Sequence, residues 1–247
     1  MTRRTLVGLA AAAATLAVVP DAESRPQDKK PEYGVERPEP EPDGPDAADV
    51  LWPGWLAETG LLNPANSWAA HKPGTRVHYS CSTLRRNNVT FDLAKVADGS
   101  IALTVTPARG DKKDLVLARS DGVSKDAKLL DETKETIEID GVKYACAAKH
   151  YEMPGRTFKV WSCKEAPLGF AKVECGDETL LLVKAKETIK TRAGEYECSA
   201  WQSTVGKTTT KTWRSEKVAA LVVRVEQTTK EPATSTTLDL EYFQEGK

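Results

Sequence analysis

The chain of 247 residues has 40% apolar and 29% charged side chains, the balance of a soluble protein able to bury a core, which excludes fibrous and wholly disordered classes. Its 35 basic and 36 acidic residues give a formal net charge of -1, so no strong field draws it to nucleic acid or anionic lipid.

Arg3 and Arg4 precede an apolar, alanine-rich run from Leu6 to Val19, followed by polar sequence. This is the layout of a secretory signal peptide, here over residues 1–24, and it predicts export to the periplasm or the extracellular space. The run is too short for a comfortable membrane span, so the protein is not expected to span a membrane. Cleavage fits Ala22-x-Ser24 or Thr15-x-Ala17, and Thr2-Arg3-Arg4-x-Leu6 is compatible with general or twin-arginine export.

Residues 21–50 hold six prolines and fourteen charges, ten of them acidic, with almost nothing apolar. Such a stretch buries too little surface to offset its ordering entropy, so residues 25–50 read as a disordered spacer. Residues 51–74 differ. Trp52, Trp55 and Trp68 put half of the six tryptophans close together, among Leu51, Leu56, Leu61 and Leu62. That much apolar area must be buried, either as a short helix or turn closing the core or as a plug over a groove.

From Thr75 onward the period is two, as in Val77-x-Tyr79-x-Cys81, Ile101-x-Leu103-x-Val105 and Leu238-x-Leu240-x-Tyr242. Turn signals such as Asp98-Gly99, Pro154-Gly155, Gly176-Asp177 and Val205-Gly206 separate the runs. The spacing predicts an all-β domain over 75–247, a curved antiparallel meander (half-barrel or open barrel) of about a dozen strands, with no helix pattern after residue 70.

The meander contains a gapless repeat of period 52, with copies at about 128–175 and 180–227. Lys134-Glu135-Thr136-Ile137 recurs as Lys186-Glu187-Thr188-Ile189, and Tyr144, Cys146, Ala148, Lys159 and Trp161 recur as Tyr196, Cys198, Ala200, Lys211 and Trp213. Fourteen of the 47 positions from 128 to 174 are identical, more than shared β composition supplies, so the segment reads as a duplication. A turn at Met153-Pro154 sets Cys146 about opposite Trp161 and Tyr144 opposite Cys163. Each copy is then expected to give a Tyr, a Cys and a Trp to one apolar surface, making Tyr144, Trp161, Tyr196 and Trp213 the candidate ligand-binding face.

Trp161-Ser162-x-Lys164-x-Ala166-Pro167-x-Gly169-Phe170-Ala171-Lys172-Val173-Glu174 resembles the W-x-S-x-x-V-P-x-G-x-V-K-x-E stretch of exported bacterial β-meander domains of unknown function, themselves similar to the lipoprotein-carrier (LolA-like) half-barrel. Asn63-Pro64 through Trp68 to Tyr79, and Gly141-Val142-x-Tyr144-x-Cys146, are similar to the opening and middle of such domains. The second copy has Ala219-Ala220-Leu221 in place of the Pro-x-Gly. The resemblance implies a curved sheet whose concave face receives an apolar ligand, and it implies no catalytic residue.

Five cysteines, Cys81, Cys146, Cys163, Cys175 and Cys198, all follow the export signal, where disulfides persist. The hairpin register makes Cys146, Cys163 and Cys175 the candidate disulfide set, with 146 to 163 favoured as diagonal neighbours. Cys198 has Ser215 where its copy has Cys163, so it is expected to be free and open to alkylation. His71, His78 and His150 show no metal-binding spacing and read as surface residues. No cofactor or metal is expected. Without convergent titratable groups the chain reads as a non-enzyme. Two readings stay open: a module holding lipid, another apolar ligand or a lipidated partner on a concave sheet, and a structural or interaction domain with a packed core.

Overall fold

The computed structural model describes residues 59–247, apart from 82–87, 109, 121 and 232. The signal peptide, the spacer, Trp52 and Trp55 lie outside the described residues. Among the described residues no helix is long and apolar enough to cross a membrane.

A five-residue helix, α1 (Pro64–Trp68), precedes thirteen strands: β1 (Arg76–Cys81), β2 (Val89–Ala97), β3 (Ser100–Pro107), β4 (Lys113–Ala118), β5 (Lys128–Ile139), β6 (Val142–Met153), β7 (Arg156–Ser162), β8 (Phe170–Cys175), β9 (Glu178–Thr191), β10 (Gly194–Val205), β11 (Thr208–Arg214), β12 (Val222–Lys230) and β13 (Ala233–Gln244). They form one antiparallel sheet in the order β4-β3-β2-β1-β13-β12-β11-β10-β9-β8-β7-β6-β5. The expected antiparallel meander is what the chain forms.

Two features make it more than a ribbon. The first described strand pairs with the last, Tyr79 opposite Leu240. In addition, β4 and β5 follow each other in the chain yet occupy opposite edges. Laid flat, thirteen strands at about 4.8 Å spacing would separate those edges by about 58 Å. The segment joining Ala118 to Lys128 reaches about 35 Å at full extension. The sheet therefore has to curl.

Local chemistry sets the hairpins. Between β5 and β6, Asp140 (φ 51°) and Gly141 (φ 77°) are both left-handed, the requirement of the two-residue turn whose twist matches its strands. Between β6 and β7 the turn is Pro154-Gly155, because Met153 pairs with Arg156. This corrects the register expected from the sequence by two residues: Ala148, not Cys146, faces Trp161. Parity survives the shift, so the same side chains share a face.

The apolar side chains collect in two clusters rather than on one surface. One joins Trp68, Val77, Tyr79, Phe91, Leu103, Val225 and Leu240 to Tyr196, Cys198, Ala200 and Trp213. The other holds Tyr144, Cys146, Ala148, Trp161 and Cys163 with Phe170, Val173, Leu182 and Trp201. The expectation that both copies feed a single face fails because β9 and β10 lie at the junction: Trp201 packs into the first copy's cluster while Ala200, next to it, packs into the other. Phe158 and Val160 are also buried, so the β6–β7 hairpin is covered on both faces.

Helix α1 closes the first cluster. Asn63 caps it, its Oδ1 accepting from the Ala65 amide at 2.8 Å, and its Nδ2 donates to the Ala118 carbonyl at 2.8 Å. Ser67 donates to the Ala219 carbonyl at 2.7 Å, and Trp68 is fully buried. His71 is nearly buried, edge-on to Phe243 with ring centroids 5.8 Å apart, and so is not the surface histidine expected.

Candidate functional site

The four residues of the candidate apolar face, Tyr144, Trp161, Tyr196 and Trp213, are all buried. Bulges after Trp161 and after Trp213 recur at the same place in each copy. The Trp161 indole N–H donates to Glu135 at 2.7 Å, and that of Trp213 donates to Glu187 at 2.7 Å. Lys159 and Lys172 lie over the Trp161 ring at 4.7 and 4.6 Å, and Lys211 lies over the Trp213 ring at 4.4 Å. Each indole thus has its N–H bonded within the chain and a ring face taken by an ammonium group.

The Glu135 carboxylate is held down at about 2, first by the Lys159 ammonium 2.8 Å away and then by the Trp161 N–H.

Of the candidate disulfide residues, Cys146 and Cys163 are bonded, with Cα atoms 4.6 Å apart, and Cys175 is a buried free thiol. That Cα distance is the close spacing of directly opposed residues at a non-hydrogen-bonded site, so the two are not diagonal neighbours. The corrected register accounts for this, since Ala147 faces Ser162 and the pair comes next. Cys198 is free but buried, and burial, with the Glu187 carboxylate second, pushes its thiol up to about 11. Burial and a raised pKa both work against the alkylation expected of it.

The second copy keeps the backbone around the missing bond. Cys163 N–H donates to the Gly169 carbonyl at 3.0 Å, and Ser215 N–H to that of Leu221 at 2.7 Å, again 52 residues on. Where the first copy has its disulfide, Cys198 and Ser215 instead line a recess of about 360 Å³ with Leu168, Ser199, Arg214 and Leu221. Arg214 is 3% exposed, and its Nε and Nη1 meet no acceptor. Burial lowers this guanidinium to about 10, opposed only by Tyr79, whose own hydroxyl donates to the Val222 carbonyl at 2.7 Å.

A larger recess, about 820 Å³, lies where the β9–β10 turn meets β1 and β13, lined by Ser80, Lys190, Arg192, Arg224, Asp239 and Glu241 among others. Its charges are paired: Arg192 with Glu241 at 2.5 Å, Arg224 with Asp239 at 2.5 Å, and Lys190 with Glu195 at 3.2 Å. None of the four candidate aromatic residues lines either recess.

Sequence reasoning missed Arg214. At the end of Thr208-x-Thr210-x-Thr212-x-Arg214 it reads as the outward face of a strand, yet Thr212 and Arg214 are buried. The one available signal was the offset of 52, which sets Arg214 against Ser162, a change from a small neutral group to a large cation.

No family model and no curated protein matches the chain. Among solved structures it is similar to a protein from Bacteroides fragilis described as exported, with a YmcC-like fold, at 13% identity and TM-score 0.35, covering 70% of this chain and 97% of that one. It is similar to a protein from Parabacteroides distasonis described as a lipoprotein, at 12% identity and TM-score 0.33, covering 70% and 96%. A weaker likeness, 9% identity and TM-score 0.17 over 79% and 94%, is to the Pseudomonas aeruginosa MucA/MucB complex.

Proposed function

We propose that the chain is an exported, non-enzymatic binding domain with a self-filled interior, which meets its partner through polar recesses at strand ends. One observation carries the reading: the four aromatic residues an apolar carrier would offer to its ligand are buried, and both indoles are bonded and capped by the chain's own groups. The two recesses described above mix charged and polar groups with apolar ones along their walls. This favours the packed interaction domain over the carrier of lipid or a lipidated partner. The Cys146–Cys163 bond fits an oxidising compartment, in keeping with the leader read from the sequence.

Native mass spectrometry of protein purified from its own host tests this. The expected species is a chain lacking roughly the first 17 to 24 residues, with no lipid retained. A co-purifying lipid would overturn the packed-core reading in favour of the carrier.

A further inference from the structure

A buried guanidinium with donors left unpaired is a costly arrangement, because a buried charge is tolerated when it is paired or hydrogen-bonded. Arg214 is in that position. Its Nε and Nη1 lack partners, and Tyr79, the titratable group acting on it, has already committed its hydroxyl to the Val222 carbonyl. The carboxylates near the recess do not relieve it. Glu197 pairs with Lys186 at 2.6 Å, and Glu216 is exposed at the rim. The recess that Arg214 lines also offers the hydroxyls of Ser199 and Ser215, and the exposed ammonium of Lys217 stands at its edge.

We propose that this recess binds a small oxyanion, a carboxylate or phosphate group, with Arg214 as its charge partner and Ser199 and Ser215 as added donors. Arginine suits the task because its planar donors match such groups and it stays charged at neutral pH. The first copy has no counterpart: Ser162 stands at the arginine's position, and a disulfide-bonded Cys163 stands at that of Ser215. Only the second copy has been opened into a site. The inference adds a ligand class to the function proposed above and is tested apart from it, since lipid retention bears on the cores and an anion response on this recess.

The experiment follows thermal unfolding of the mature chain at low ionic strength while sodium acetate or sodium phosphate is added, beside Arg214→Met and Ala185→Trp variants. Ala185 lines the recess from β9, so the larger side chain closes it and leaves the arginine in place. At about a hundredfold excess over the dissociation constant the native chain should gain roughly 5–10 °C more than either variant. The comparison within each salt cancels general salt effects. Acetate acting alone assigns a carboxylate, and phosphate acting alone a phosphate group. If Arg214→Met fails to fold, Ala185→Trp decides. Equal gains in the native chain and the folded variants would overturn the site.

Discussion

The indole N–H of Trp161 is bonded to the carboxylate of Glu135 at 2.7 Å, across two neighbouring hairpins. Together with Lys159 this keeps Glu135 ionised down to about pH 2. A carboxylate depressed by folding adds stability above its ordinary value near 4.5, and that contribution is lost as pH falls toward 2. Carboxyl NMR should place the Glu135 midpoint near 2, and Glu135→Gln should flatten acid unfolding between those limits. A midpoint above 4 would show that the contact does not hold in solution.

Trp161 and Trp213 make the same bond in the two copies. Replacing either by Ala should cost about 3–5 kcal/mol in denaturant unfolding, the range for a buried aromatic. The two losses should be alike. A large loss at one site and none at the other would mean that only one cluster governs stability.

The Cys146–Cys163 bond closes a short loop, with the two residues 17 apart in sequence. Removing it through Cys146→Ala with Cys163→Ala should cost about 3 kcal/mol. Ser215→Cys should let the second copy form the equivalent bond with Cys198, since Ser199 faces Arg214 just as Ala147 faces Ser162, which makes Cys198 and Ser215 the next pair. Peptide mapping without reductant reads this directly. A free thiol at both positions would show that the recess holds them apart.

Leu221 sits at φ 60°, where the first copy has Gly169 at φ 76°. A left-handed leucine costs about 1–2 kcal/mol relative to glycine, and the side chain is only half-buried. Leu221→Gly should therefore raise stability by about 1 kcal/mol in denaturant unfolding.

The fold was legible because alternation is a local signal: Val77-x-Tyr79-x-Cys81 and its like name both strand and face. The repeat was legible for a similar reason, since Tyr-x-Cys-x-Ala recurring at one offset needs no tertiary knowledge. Register failed at Pro154-Gly155, where moving the turn by one residue shifts every pair by two without altering the pattern. The single-surface expectation failed because period two says which residues share a side, not where a long sheet curls. Arg214 was hidden because a buried arginine and an exposed one look the same in sequence.

The pairing of β1 with β13 has a consequence for the order of events during synthesis. Strands β1 to β4 emerge early and can pair among themselves, but the β1 edge and the cluster around Tyr79 stay open until Leu238 and Leu240 arrive, about 160 residues later. Closing so long a loop is slow, because chain entropy must be lost before the contacts form. The nascent chain is thus kept from completing its tertiary structure until its end is made. That delay makes the final strand the step that commits the whole sheet.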